Sequence, residues 1–168
     1  MMHGYYYDTW IEDGSQPTGY RKAGWLATRD VPAKRVTDFA AGMEIPAFSQ
    51  GPVTRTEIVK YAAASWDFNP VHHDETFAKQ ARSGGIIAHG MMIFAYLGRV
   101  ATDFLGTPTL SRLSARFMNV TRPGDVLTLG GQVTSVSADG TVVLHLSATN
   151  QKGEVVATGV AQASVPVN

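Results

Sequence analysis

The chain has 168 residues, 44% of them hydrophobic and 17% charged, a length that suits one domain with a real core and is too short for two ordinary ones. Its 14 Lys and Arg balance 14 Asp and Glu, so no basic excess supports a nucleic-acid footprint or a basic membrane-binding surface. Cysteine is absent, which excludes disulfides and thiolate metal sites or nucleophiles while leaving the compartment open.

The N-terminal stretch MMHGYYYDTWIEDG carries early acids and no apolar run, unlike a secretory leader, and no window approaches the apolar length of a membrane span. A soluble, cytoplasmic protein is the expectation. Residues 1 to 35 hold Tyr5, Tyr6, Tyr7, Trp10, Tyr20 and Trp25 without helical or strand periodicity. Disordered segments are usually poor in aromatics. This extension is therefore expected to pack onto the domain or across a subunit interface, with the main domain running from 36 to 168.

In GPVTRTEIVKYAAASWD, Thr54 and Glu57 have the spacing of a capping box, and Ile58, Tyr61, Ala62 and Ser65 follow at helical spacing. The Asn69-Pro70 pair is expected to break that helix, because a residue before proline is pushed out of the α region. DETFAKQA, residues 74 to 81, allows one or two further turns before the flexible SGG at 83 to 85. The strongest helical signal is IIAHGMMIFAYLGRVATDFLG. There Ile93, Leu97, Val100 and Phe104 form one stripe, broadened by Phe94, Ala101 and Leu105, so the helix is expected to be buried, with its methionines as core packing.

After Gly106 the character changes to β-branched, partly alternating stretches: TLSRLSARFMNV, DVLTLGGQVTSVS, TVVLHLSATN and EVVATGVAQASV. RPG, ADG and QKG separate them, so a run of antiparallel strands at hairpin spacing is expected. One long buried helix followed by a strand meander predicts an α+β domain whose sheet wraps the helix.

Two short segments carry candidate chemistry. In DFNPVHHD, Asp67 and His72 stand on either side of the turn forced by Asn69-Pro70 and can converge there, where a carboxylate beside an imidazole can share a water and move its protons near neutral pH. The same residues equally suit a plain turn, with Asp67 as a cap, Asn69 bonded to the backbone and the histidines in solvent. In AHGMM, the His89-Gly90 pair opens the buried helix. A helix N-terminus offers unpaired N–H groups to a developing oxyanion, and glycine allows close approach of a ligand. Equally, Gly90 suits a tight helix entry. His73, Asp74 and His89 raise the question of a metal site with His72, but adjacent histidines do not easily point the same way and no regular ligand spacing is present.

Taken together, YAAASWDFNPVHHDETFA and IIAHGMM resemble the MaoC-like dehydratases, which include the (R)-specific enoyl-CoA hydratases. Tyr61, Asp67, Asn69, Pro70, Val71, His72, Ala78, His89, Gly90 and Met91 fit the family signature, and RFMNVTRPGD at 116 to 125 is similar to its strand and Pro-Gly-Asp turn. The resemblance spans roughly residues 36 to 165. It implies a single hotdog fold, a sheet wrapped around one long helix, in a chain that forms a homodimer or pairs with a related subunit. It also implies water addition to 2-enoyl thioesters, giving (3R)-3-hydroxyacyl thioesters, with Asp67 and His72 as the catalytic pair. The Gly90 N–H would polarise the thioester carbonyl, and Asn69, His89 and Met91 would bind substrate. No metal or cofactor is implied beyond the coenzyme A or acyl carrier protein that bears the acyl group. His73 is expected to be a bystander.

Trp66 departs from the family pattern, which commonly has a small residue such as glycine there, and this puts the acyl-chain preference in question. Two other readings stay open: a non-catalytic or heteromeric partner subunit, and a thioesterase of the same fold. The presence of both Asp67 and His72 speaks against a non-catalytic subunit but not against a heteromeric partner, and D-x-N-P-x-H with HGM speaks against the thioesterase.

Overall fold

A computed structural model describes residues 34–106 and 110–167. Apart from Lys34 and Arg35, the aromatic extension of residues 1 to 35 lies outside the described residues. A strand β1 (Glu44–Gln50) precedes three helices, α1 (Arg55–Ser65), α2 (Glu75–Gln80) and α3 (Gly90–Leu105). Strands β2 (Arg112–Phe117), β3 (Leu127–Val136), β4 (Thr141–Asn150) and β5 (Val155–Ser164) complete the chain. All five strands form one antiparallel sheet in the order β1-β3-β4-β5-β2. Helix α3 packs against β2, β3, β4 and β5, giving the expected α+β arrangement of a sheet around one helix.

The core follows from strand alternation meeting a helical stripe. Along β4, Val142, Leu144, Leu146 and Ala148 point inward, and β3 contributes Leu127, Leu129 and Val133. From α3, Met92, Ile93, Leu97, Val100, Ala101 and Leu105 are buried, whereas Phe104 is only partly so. Strand β5 meets the helix with small residues, Ala157, Gly159, Ala161 and Ala163. A Cβ on Gly159 would stand 2.9 Å from the Ser114 carbonyl oxygen and 3.5 Å from Leu97 Cδ1. Helix and edge strand therefore approach more closely there than any larger residue permits.

The ADG and QKG turns close hairpins as expected, joining β3 to β4 and β4 to β5. At the second, the Asn150 side-chain oxygen accepts from the N–H groups of Lys152 and Glu154, each at 3.0 Å. The RPG turn does not join β2 to β3 in a hairpin. Strand β2 pairs with β5, from Arg112↔Gln162 to Phe117↔Ala157, so β2 and β3 are separated by two strands. The turn itself is local: Asp125 Oδ2 accepts the Arg122 N–H at 2.7 Å, and the Asp125 N–H returns to the Arg122 carbonyl. Its Gly124 N–H and Asp125 carbonyl are then taken by Val53, which directs the chain away from β2.

Strand β1 had no sequence signal. It is an edge strand with Pro46 inside it, a bulge between Ile45 and Phe48, and only Ile45 buried, so its alternation is hidden. Among the described residues, no helix is long and apolar enough to cross a membrane.

Candidate active site

The site is assembled where α1 ends and α3 begins. The capping box at the start of α1 is present: Thr54 Oγ1 accepts from the Glu57 N–H at 3.1 Å, and the Glu57 carboxylate accepts from the Thr54 N–H at 2.7 Å. The helix ends earlier than the Asn-Pro pair would dictate. Trp66 is left-handed at φ 60 and its N–H closes on the Ala62 carbonyl, so the helix stops three residues before Asn69. That conformation is cheap for glycine and costs other residues about 1–2 kcal/mol. The Trp66 ring is 84% exposed and meets Phe68 edge-on, the two rings flanking Asp67 in sequence.

Asn69-Pro70 instead starts a 3-10 turn, Pro70–His72. Asn69 Oδ1 accepts the Val71 N–H at 3.1 Å, so its oxygen is used in the turn itself. This turn carries His72 inward, to 9% exposure. His72 Nδ1 lies 2.8 Å from the Ile87 carbonyl oxygen. A carbonyl only accepts, so in the neutral ring Nδ1 holds the proton and Nε2 presents a lone pair. Nε2 stands 4.0 Å from Asp67 Oδ2, too far for a direct hydrogen bond. One oxygen about 2.8 Å from each would fit between them. The Asp67 carboxylate is 54% exposed and its Oδ1 accepts the Asn69 N–H at 3.3 Å.

His73 turns the other way, its Nε2 donating to the Phe68 carbonyl at 3.1 Å. Asp74 caps α2 through the Phe77 N–H. Neither therefore faces the site. His89 is 2% exposed and stacks on His72, with centroids 3.6 Å apart and planes at 24°. Its Nε2 lies 3.0 Å from the Asp67 carbonyl oxygen, and its Nδ1 is buried with no hydrogen-bond partner among the described residues. Burial holds the His89 imidazole below its ordinary range, and the neighbouring His72 and His73 push the same way against the Asp67 carbonyl and carboxylate. Asp67, His72 and His89 bring one potential ligand atom each within 4.8 Å of one another. Nearly parallel rings send their in-plane lone pairs along separate planes, an arrangement suited to stacking rather than chelation.

Gly90 is the first residue of α3 and is exposed, and a Cβ there would meet the Phe117 ring at 3.3 Å. Met91, beside it, is 53% exposed, so the core role expected of the methionines holds for Met92 and fails for Met91. Sequence reasoning missed two contributors. The Ile87 carbonyl is one, aimed by a short extended segment in which the Ile87 N–H meets the Val71 carbonyl and the Ala88 N–H meets the Thr121 carbonyl. A main-chain carbonyl has no sequence signature. The other is Phe117, whose place over Gly90 follows only from β2 lying beside β5.

A single antiparallel sheet wrapped around one long helix, with a carboxylate and two imidazoles gathered at the helix N-terminus, is the architecture of the hotdog class of folds. The family model described as "MaoC like domain" matches residues 38–155, and the chain belongs to that family. It is similar to the (R)-specific enoyl-CoA hydratase of Rhodospirillum rubrum, 28% identical over 116 residues, which covers 68% of this chain and 81% of that protein. Fatty acid synthase 2 of Mycosarcoma maydis is 32% identical over 115 residues, 63% of this chain but 3% of that protein, so the chain spans a small part of this much larger relative. Among solved structures, the (R)-hydratase from A. caviae involved in PHA biosynthesis superposes with a TM-score of 0.69 at 26% identity, over 76% of this chain and 98% of that one.

Proposed function

We propose that the protein is a hydratase/dehydratase that reversibly adds water to 2-enoyl thioesters, giving (3R)-3-hydroxyacyl thioesters. The observation that carries this reading is the 4.0 Å gap between Asp67 Oδ2 and His72 Nε2, which one water or one substrate hydroxyl can bridge. In the forward direction the water oxygen bonds to C3, the C2=C3 π bond breaks, and a proton released by the water is delivered to C2. The Asp67–His72 pair holds the water and relays that proton. Negative charge passes through the thioester carbonyl oxygen, where the Gly90 N–H at the start of α3 donates a hydrogen bond. Such a donor supplies about 3 kcal/mol in oxyanion holes generally. The acyl group arrives on coenzyme A or an acyl carrier protein, and no other cofactor takes part in the step.

Hydration of crotonyl-CoA, followed as loss of enoyl-thioester absorbance, tests the reading in wild type and Asp67→Asn. The substitution keeps the side-chain shape and removes the charge, and it should lower kcat on the order of 10²–10⁴-fold. Full activity in Asp67→Asn overturns the assignment of Asp67. Failure of the wild type to hydrate short or long enoyl thioesters on either carrier overturns the reaction.

A further inference from the structure

We propose that His89 is a positioning residue for the acid–base pair: its ring stacks on His72 and its Nε2–H holds the Asp67 carbonyl, so one buried side chain fixes both partners. The inference rests on the hydratase reading above. It departs from the expectation that His89 touches substrate.

The geometry supports it in three ways. First, Asp67 follows the left-handed Trp66, where the helix has ended, and its N–H joins that of Trp66 on the Ala62 carbonyl, the last of the α1 bonds among the described residues. The His89 contact, across 22 residues, is the bond that ties the Asp67 peptide to the start of α3. Second, the 3.6 Å stack sets the plane of His72, while the Ile87 carbonyl sets its rotation within that plane. Both constraints are needed to aim Nε2 at Asp67. Third, His89 packs against the His72 ring, the Asp67 carbonyl and the ring of Tyr61, at 5.0 Å, with His73 acting only through its charge, and is 2% exposed. A ring so enclosed has no surface left for a substrate. A neutral ring in this place also lets His72 accept a proton during turnover without a second positive charge against its face.

Two variants separate the hydrogen bond from the ring. His89→Gln keeps an N–H near the position of Nε2, and His89→Phe keeps a stacking ring without a donor. We expect His89→Phe to lower kcat on the order of 10²-fold with KM nearly unchanged, the effect of a misplaced catalytic group, and His89→Gln to recover to within about tenfold of wild type. Wild-type kcat in His89→Phe, or a change confined to KM, overturns the proposal, the latter by making His89 a substrate contact. Imidazole ¹⁵N spectra of the wild type provide a measurement independent of turnover. They should place the neutral-ring proton of His89 on Nε2 and that of His72 on Nδ1. The opposite tautomer of either ring sinks the proposal even if no variant folds. A wild type that hydrates nothing but shows these tautomers refutes the reaction and leaves the positioning geometry standing.

Discussion

His89 links the site to stability as well as to geometry. Its folded pKa lies below the ordinary value of 6.5, first because burial penalises the charged ring. Between 6.5 and that lower value the unfolded chain binds a proton that the native chain does not, so stability falls as pH falls, by up to about 1.4 kcal/mol per pH unit. Above 6.5 the ring is neutral in both states and contributes no slope. Glu75, held low by its hydrogen bond to Arg55, and Asp139, held low by the Thr141 N–H, act in a more acidic window. Urea unfolding at pH 7.5 and 5.5 should therefore show a loss for the wild type that His89→Gln reduces. Equal losses in the two proteins would mean that His89 is already charged in the native state. Trp66 is the other residue whose meaning changed with structure. A bulky residue, where the family resemblance led us to expect a small one such as glycine, occupies a left-handed helix end, and it is exposed to solvent rather than packed into the core.

At the scale of elements, the close approach of α3, β5 and β2 is the most demanding packing in the fold. Leu97 is fully buried against a strand of alanines and one glycine. Gly159→Ala places a methyl 2.9 Å from the Ser114 carbonyl, so β2 must shift to admit it. We expect a loss of about 1–3 kcal/mol, the usual cost of overpacking, read as a lower urea midpoint at unchanged slope. An unchanged midpoint would show that β2 yields freely, as an edge strand with one partner can. Local signals predicted α1, α2, α3 and the two hairpins well, because caps, turns and periodicity act within a few residues. They failed at β1, whose exposed, proline-bearing sequence has no alternation to read, and at RPG. A turn signal reports a local reversal and not which strand lies alongside.

At the scale of the whole molecule, Met91, Phe117, Met118 and Val120 remain exposed at or near the N-terminal end of α3 and the edge strand β2. Among the described residues β2 pairs with β5 alone, and an apolar group beside such a strand edge is a surface that proteins usually cover. A second copy of the chain is the expected occupant, one of the two pairings, homodimer or related subunit, that the family resemblance implied. Sedimentation velocity should find a dimer at micromolar concentration, and Phe117→Glu should shift it toward monomer. A wild type that stays monomeric at high concentration would leave this face for a different subunit.

The sequence by itself determined the capping box of α1, the long buried helix, the hairpins of β3, β4 and β5, and the two segments that meet at the site. Each depends on residues within a turn or two of one another, where propensity and hydrogen-bond chemistry are local. Only the tertiary structure decided the pairing of β2 with β5, the Phe117 ring over Gly90, the tautomer imposed on His72 by Ile87, and the hold of His89 on Asp67. Those contacts cross 15 residues or more, and the two that orient the histidines end on main-chain carbonyls. Every residue carries the same carbonyl, so nothing in the identity of Ile87 or Asp67 announces which ring it will meet.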